Sequence, residues 1–343
     1  MKELKELLDE ILRLSKNDRA TLMGMLASRS SAGQRVSDYV AEVKSANVMA
    51  CPHCGSIHVV RNGHRKDGVQ KYACKDCGKH FVPMTGNVYV GTHKDMEAWA
   101  SCIRCMMTGM SIRKTAEECG ISTKTAFFWR HKILSSLCAM EDNVVLNGIA
   151  ECDETYFRLS FKGNHKAFVS GEIDRKPHKR GQAARKRGLS KEQVCVPCAV
   201  TRNRQSIARV AGLGSCSVDA LGKVLKGRFS EGATICSDQN PIYVKFARSE
   251  GMKLVQIKGG KASKGLYHIQ HLNNYHSLMK DFMRGFRGVA TKYLNGYLAW
   301  HNFVNYARQN IQEKHVILKE WMIKCNSNYP IASILQLPII PVV

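Results

Sequence analysis

The chain has 343 residues, of which 44% are hydrophobic and 8% aromatic, and this composition indicates a globular protein of more than one domain. Its 52 Lys and Arg outnumber its 28 Asp and Glu, which gives a net charge of +24. A chain this basic is typical of proteins that bind a polyanion, and nucleic acid is the first candidate.

The sequence lacks the patterns of secreted and membrane proteins. Residues 1–12 interleave acids with leucines, unlike a secretion signal. Residues 325–343 form the longest uncharged stretch, but polar residues and prolines interrupt it, so we expect no membrane span. In the reducing compartment that this implies, the 14 cysteines are expected to be metal ligands or buried thiols.

Residues 1–45 carry leucines at helical spacing and predict a helical amino-terminal segment. Residues 49–85 are rich in turns and predict a small zinc ribbon. Two Cys-x-x-Cys pairs separated by nineteen residues match the spacing of a structural tetrathiolate zinc site, with Cys51, Cys54, Cys74 and Cys77 as ligands. Gly55 and Gly78 follow the two pairs, where the backbone must turn around sulfur.

Two other cysteine pairs, Cys102 with Cys105 and Cys195 with Cys198, have no turn residues around them. They fall in a predicted helix and a predicted strand respectively. A second zinc site is the alternative, but this context favours buried thiols.

Residues 93–140 predict a helix-turn-helix DNA-binding domain. Ala116 lies in the first helix, Gly120 in the turn, and Ser122 is placed to cap the second helix. The expected exposed face of that second helix offers Thr123, Lys124, Arg130 and His131 to a major groove. An ordinary helical hairpin is the alternative interpretation.

Residues 147–310 predict a mixed α/β domain. The pattern predicts strands at 149–157, 193–201, 206–210, 234–237 and 253–257, and helices at 218–229, 242–250, 268–286 and 290–306. This order is that of a ribonuclease H-like domain with a mixed sheet, and residues 311–343 are left as a carboxyl-terminal tail. The fold class predicted for the whole chain is therefore multi-domain α/β.

A basic loop separates the first two of these strands. Residues 175–191 hold eight Lys and Arg and no acid. We expect this loop to contact DNA phosphates, chiefly through Arg180, Arg185, Lys186 and Arg187. A solvated loop without a ligand is the alternative.

Acidic residues stand where an α/β sheet places its active site. Glu151, Asp153 and Glu154 lie within one strand, and alternation puts Glu151 and Asp153 on one face and Glu154 on the other. Asp238 follows a second, apolar strand. Buried acids are costly unless a cation meets them, so Asp153 and Asp238 are candidate ligands for the metal ions of phosphoryl transfer.

A third ligand is harder to place, because the only acid between residues 251 and 312 is Asp281. In the helix predicted at 268–286, Asn273 and Lys280 are seven residues apart and share one face. An amide oxygen can bind a hard cation and a lysine can hold a phosphate. The alternative is an ordinary solvated helix face.

These motifs together resemble bacterial insertion-sequence transposases of the zinc-ribbon type, the insertion-sequence fifteen-ninety-five family. The resemblance rests on the two Cys-x-x-Cys pairs, the run from Glu151 to Tyr156, Ser237-Asp238, and the pattern His268-Ile269-Gln270-x-x-Asn273-x-x-His276-Ser277-x-x-Lys280. It covers roughly residues 49–310.

The resemblance implies a DDE-type transposase whose third residue is asparagine followed by lysine. Its catalytic residues would be Asp153, Asp238, Asn273 and Lys280, with the first three binding Mg²⁺ or Mn²⁺. The implied partners are double-stranded DNA at the element's terminal repeats and at the target, with no membrane, and we expect a homo-oligomer on DNA in the prokaryotic cytoplasm, associated with the nucleoid. A non-catalytic DNA-binding regulator and a nuclease of the same fold are the alternatives.

Overall fold

A computed structural model describes residues 14–15, 18, 36–45, 50–164, 169–170, 190–258, 263–306, 311–325 and 331–341. The chain forms two compact units. The first comprises residues 1–136 with 309–331, and the second comprises residues 137–308 with 332–343.

The first unit contains a small antiparallel sheet and several helices. Its strands are β1 (Val59–His64), β2 (Gln70–Cys74) and β3 (His80–Phe81), in that order. Its helices are α1 (Val36–Ser45), α2 (Met96–Met107), α3 (Ile112–Glu118), α4 (Thr123–Glu141, which runs on into the second unit) and α9 (Ile311–Lys324). Asp95 and Ser111 accept hydrogen bonds from the first turns of α2 and α3, which explains where these helices begin.

Aromatic side chains form the centre of this unit. Trp99 of α2 stacks on Trp129 of α4 with 3.9 Å between the ring centroids, and Tyr89 meets Trp99 edge-on at 5.0 Å. Cys102 and Cys105 are buried in α2, as expected of packed thiols. This burial fixes α4 against α2.

The second unit is built on a mixed sheet. Its strands are β4 (Ile149–Arg158), β5 (Gln193–Thr201), β6 (Ser206–Ala208), β7 (Gly212–Leu213), β8 (Thr234–Ser237) and β9 (Lys253–Gln256). The order across the sheet is β6-β5-β4-β8-β9, and β7 pairs with β5. β4 is antiparallel to β5 but parallel to β8, which in turn is parallel to β9.

Helices cover both faces of this sheet. They are α5 (Val218–Leu225), α6 (Pro241–Ser249), α7 (Gln270–Gly285) and α8 (Leu294–His301). The short α10 (Ile331–Leu335) follows later in the chain, and its last residues fall in this unit. Ala150 and Cys152 of β4 pack with α5 and α6 on one face, whereas alternate residues of β5 pack with α7 and α8 on the other. The strands are therefore apolar along most of their length, because both faces are buried.

The mixed α/β architecture predicted from the sequence is confirmed, with differences at element ends. The helix expected at 218–229 ends at Leu225, because Gly227 adopts a positive φ of 68° and the chain turns. The helix expected at 290–306 is divided into the 3₁₀ turn Thr291–Tyr293, α8 and the π-helical turn Asn302–Tyr306. Among the described residues, no helix combines the length and the apolar character needed to cross a bilayer.

Candidate active site and metal centre

The four cysteines predicted to bind zinc converge in the first unit. Their sulfurs all lie within 4.8 Å of one another, with Sγ–Sγ distances of 3.7 Å for Cys51–Cys77 and 3.6 Å for Cys54–Cys74. Zn–S bonds of about 2.3 Å in a tetrahedron place sulfurs about 3.8 Å apart. The cluster therefore fits a zinc ion closely, and it is compatible with a zinc ribbon.

The backbone around the cluster explains why it forms. Gly55 and Gly78 have φ values of 77° and 69°, which only glycine adopts at little cost, so each chain turn can bend around the sulfurs. Backbone N–H groups of Cys77 and Asp76 donate to the Cys74 sulfur and lower the pKa of that thiol to about 6. A thiolate is the form that binds zinc.

Tyr72 and Phe81 stack at 5.7 Å between ring centroids and, with Val59, complete the small core beside the cysteines. So little apolar surface cannot hold three short strands together alone, and we infer that the ribbon depends on its metal.

Asp153 and Asp238 are brought together by strand register. β4 and β8 are parallel and pair Glu151 with Cys236. Each aspartate lies two residues further along its own chain, so the two occupy equivalent positions on neighbouring segments, and the charge of Asp238 acts on Asp153. Asp238 follows the last residue of β8, at the carboxyl edge where open α/β sheets place their sites.

Burial, together with the charges of Glu154 and Asp238, raises the pKa of Asp153 to about 7. The backbone N–H of Glu154, which donates to Asp153 Oδ1 at 2.8 Å, and the ammonium of Lys280 act in the opposite direction. A half-buried carboxylate beside two other acids is a position that a bound cation would stabilise.

Glu154 faces the opposite side of the sheet from Asp153, as strand alternation predicted. Its carboxylate accepts hydrogen bonds from the Tyr243 hydroxyl at 2.9 Å and from Asn240 Nδ2 at 3.4 Å. Burial raises its pKa as well. Because Asn240 caps α6 just after Asp238, Glu154 links β4 to the turn that carries Asp238.

Asn273 and Lys280 lie on α7, and both side chains are exposed. The ammonium of Lys280 lies near enough to Asp153 to lower the pKa of that carboxyl. Asn273 lies about two turns closer to the start of the helix, on the same face. Asp281, the single acid of this helix, pairs with Arg284 at 2.5 Å.

A second polar cluster lies on the same face of β4 and was not predicted as a unit. Glu151 is buried and contacts His271, which is on α7, and the nearby His268. These three side chains have ligand atoms within 4.8 Å of one another, a spacing that a metal ion would accept. The guanidinium of Arg202 stands among them, with Nη1 2.6 Å from both histidines and 3.1 Å from Glu151.

Only part of this cluster could be predicted from the sequence. An acid in mid-strand at Glu151 was visible, but Arg202 lies in the turn after β5 and reaches the cluster only through the antiparallel pairing of β4 and β5.

In the helical pair α3 and α4, only part of the predicted DNA-contacting face is exposed. Thr123 and Lys124 are exposed at the start of α4. Arg130 and His131 are buried, at 2% and 6% exposure, so the expectation that they face a DNA groove is wrong. The guanidinium of Arg130 donates to the Met110 carbonyl at 2.6 Å, which explains its inward orientation.

Four further candidates, Arg180, Arg185, Lys186 and Arg187, lie outside the described residues. Cys195 and Cys198, the remaining cysteine pair, are buried in β5 as thiols.

Comparison with known proteins gives two matches. Residues 145–304 match the profile of the ISXO2-like transposase domain. A Halobacterium salinarum protein described as an uncharacterized protein in transposable element ISH50 is 26% identical over 269 residues, which cover 77% of this chain and 88% of that protein. The matched domain contains β4 to β9 and the candidate site. Residues 145–304 thus match the ISXO2-like transposase domain, which confirms the resemblance to the insertion-sequence fifteen-ninety-five transposases.

Proposed function

We propose that this protein is a DNA transposase of the DDE type, with asparagine as its third residue, which binds the ends of its insertion element and catalyses DNA cleavage and strand transfer. The observation that carries the proposal is the level placement of Asp153 and Asp238 on parallel segments within a transposase-family domain. We further interpret the second unit as ribonuclease H-like, from its strand order and its covering helices.

The residues present fit a hard divalent cation. Asp153 and Asp238 offer carboxylate oxygens, and Asn273 offers an amide oxygen, which are the donors that Mg²⁺ and Mn²⁺ prefer. Bound there, such ions supply electrostatic stabilisation to the attacking and leaving oxygens of an in-line phosphoryl transfer. The raised pKa of Asp153 supports this assignment, because a nearby cation would favour its ionised form.

The chain's own side chains orient the DNA. We assign Lys280 to a phosphate oxygen next to the scissile bond, where its ammonium opposes the developing negative charge. In the first step a water oxygen bonds to phosphorus and the bond to the 3′-oxygen breaks, which frees a 3′-hydroxyl at the element end. In the second, that hydroxyl attacks a target phosphodiester, loses its proton, and displaces the target's 3′-oxygen.

We assign DNA recognition to the first unit. The four-cysteine ribbon and the pair α3–α4, interpreted as a helix-turn-helix, precede the transposase domain, and the net charge of +24 favours DNA as the partner. Ser122 accepts a hydrogen bond from the N–H of Thr125, so α4 begins as a capped helix with Thr123 and Lys124 exposed in its first turn. Residues at this position enter the major groove in helix-turn-helix complexes. We also propose that the active species is a homo-oligomer assembled on DNA.

The test is a strand-transfer assay on linear DNA carrying the ends of the element that encodes the protein. Asp153→Asn and Asp238→Asn should each abolish cleavage and joining while leaving DNA binding intact. Asp219→Asn, the same change at an exposed position of α5, is the matched control and should retain full activity.

The alternatives give different outcomes in this assay. Wild-type protein that binds the ends but never cleaves them would indicate a DNA-binding regulator, which the asparagine at position 273 favours. Cleavage without any joining would indicate a nuclease. Full activity in either aspartate variant would refute the catalytic assignment.

A further inference from the structure

The buried cluster around Glu151 joins the strand that carries Asp153 to the helix that carries Asn273. We propose that Glu151 is a positioning residue, which caps the start of α7 from β4 and thereby sets Asn273 opposite Asp153. This inference rests on the proposed function for its consequence in metal binding.

The contacts of Glu151 are those of a helix cap supplied by another element. Its side chain is 1% exposed, and Oε2 accepts a hydrogen bond from the backbone N–H of Leu272 at 3.0 Å. α7 begins at Gln270, and the residue at its amino-terminal cap, Ile269, offers no side-chain hydrogen bond. Glu151 therefore accepts from an N–H of the first helical turn, which has no partner within the helix, and places negative charge at the positive end of the helix dipole.

The other carboxylate oxygen is held by basic groups. Oε1 lies 2.8 Å from His271 Nδ1 and 3.1 Å from Arg202 Nη1. Arg202 also donates through Nη2 to the carbonyl of Leu266 at 3.1 Å, so it holds the segment that leads into α7. A carboxylate this buried is costly unless it is paired, and here both of its oxygens have partners.

The contacts of Glu151 set the position of α7 relative to β4 at the proposed active site. Glu151 and Asp153 are two residues apart and face the same side of β4, whereas Leu272 and Asn273 are adjacent on α7. One hydrogen bond between Glu151 and Leu272 therefore fixes the strand and the helix at the positions next to the proposed ligands. Loss of it would let the start of α7 shift relative to β4, and oxygen donors that shift bind a cation less tightly.

The experiment compares full-length, zinc-loaded wild-type protein with Glu151→Gln, and uses Glu231→Gln at an exposed turn as the matched control. Mn²⁺ binding is measured by the electron paramagnetic resonance signal of the free ion. Exchange of the Leu272 amide hydrogen is followed in the same samples, and circular dichroism confirms that each variant is folded.

We expect Glu151→Gln to keep the number of Mn²⁺ ions bound but to weaken their affinity by about 10- to 100-fold, the usual effect of losing a group that orients a ligand. Exchange at Leu272 should accelerate, and strand transfer should require more Mg²⁺ without a change in DNA affinity. Glu231→Gln should match wild type in every measurement. Arg202→Lys, which keeps the charge but loses the planar fork, should show a smaller loss of the same kind.

Three results would overturn the proposal. Unchanged Mn²⁺ affinity in a folded Glu151→Gln protein would show that the cap formed by Glu151 does not position the metal ligands. Unchanged exchange at Leu272 would show that the cap contributes nothing to α7. A loss of one bound Mn²⁺ with unaltered affinity at the rest would identify Glu151 as a ligand itself. Failure of the proposed function is separate, since wild-type protein would then join no DNA.

Discussion

Asp153 and Asp238 stand at the same level of two parallel segments, each two residues beyond the paired residues Glu151 and Cys236. The charge on Asp238 raises the pKa of Asp153, and the ammonium of Lys280 lowers it. Burial makes this like-charge pair costly in the absence of a cation. Under the proposed function, the pair therefore links the stability of the second unit to metal binding.

The first prediction follows from that repulsion. Asp238→Asn should stabilise the metal-free protein, by about 1 kcal/mol, because one of two neighbouring charges is removed. Saturating Mg²⁺ should stabilise wild type but not the variant, since a ligand that binds only the folded state shifts unfolding by mass action. Thermal unfolding with and without Mg²⁺ measures both effects.

Glu231→Gln serves as the control, because its exposed turn position outside any helix should make it neutral with and without Mg²⁺. An Asp238→Asn protein that is less stable than wild type without metal would contradict the assignment of the two aspartates as metal ligands. So would a variant that Mg²⁺ stabilises as much as it stabilises wild type.

The second prediction concerns the zinc cluster. Cys54→Ser should reduce bound zinc from one ion per chain to much less than one, because serine replaces a thiolate in a four-sulfur site. The ribbon core of Tyr72, Phe81 and Val59 is too small to persist without the metal, so β1 to β3 should unfold. Elemental analysis gives the zinc content, and amide hydrogen exchange reports on residues 59–81.

Cys216→Ser offers a comparison within the second unit, where the thiol donates to a backbone carbonyl and lies apart from the cluster. It should keep its zinc. Slow exchange in residues 59–81 of a zinc-free Cys54→Ser protein would show that the ribbon folds without metal.

Periodicity made much of the second unit predictable. Strands 193–201 and 234–237 were predicted with the bounds that the structure shows, and alternation placed Glu151 and Glu154 on opposite faces of β4. These features depend on local spacing and on burial of both faces. The mixed sheet then brings Asp153 and Asp238 together through a pairing that strand order implies.

Contacts made by long side chains could not be predicted in this way. Arg202 reaches His268 and His271 across the sheet, and Arg130 turns inward to the Met110 carbonyl. A helical pattern cannot say whether an arginine extends into solvent or places its guanidinium on a buried carbonyl, because its aliphatic stem suits both.

The third prediction separates DNA contact from packing on α4. Lys124→Ala should weaken DNA binding and lower the slope of log affinity against log salt by about one, because one phosphate contact is lost. Its stability should be unchanged, since the side chain is exposed. Binding titrations at several salt concentrations test this, with Lys94→Ala, also exposed in the first unit, as the control for loss of charge alone. An unaltered salt slope would contradict the contact.

Arg130→Ala should behave in the opposite way. The buried guanidinium bonds to the Met110 carbonyl and to Thr115 Oγ1 at 3.3 Å, so its loss should destabilise the first unit by about 1–3 kcal/mol. Amide exchange in α3 measures that loss. At temperatures where the variant is folded, its salt slope should equal that of wild type. A reduced slope of log affinity against log salt in a fully folded Arg130→Ala protein would show that Arg130 contacts DNA after all.

The last prediction concerns pH. His301 is fully buried beside Tyr275 and Phe282, and among the described residues its Nε2 has no hydrogen-bond partner. Burial lowers its pKa from 6.5 to about 4. Below about pH 6.5 this histidine therefore binds a proton in the unfolded chain but not in the folded protein. Its contribution to the free energy of unfolding is fully present above that pH and is lost as the pH falls toward 4, by up to about 3 kcal/mol.

His276 on α7 has its pKa lowered to about 4 by burial and by Lys280, so it should add to the same loss. His301→Gln should remove about one proton from the pH dependence and leave the contribution of His276. Amide exchange in α8, corrected for intrinsic rates at pH 5 and pH 7, reads the stability of this unit in both proteins. Equal acid sensitivity in wild type and His301→Gln would show that His301 is already protonated in the folded state, with a charge accommodated inside the core.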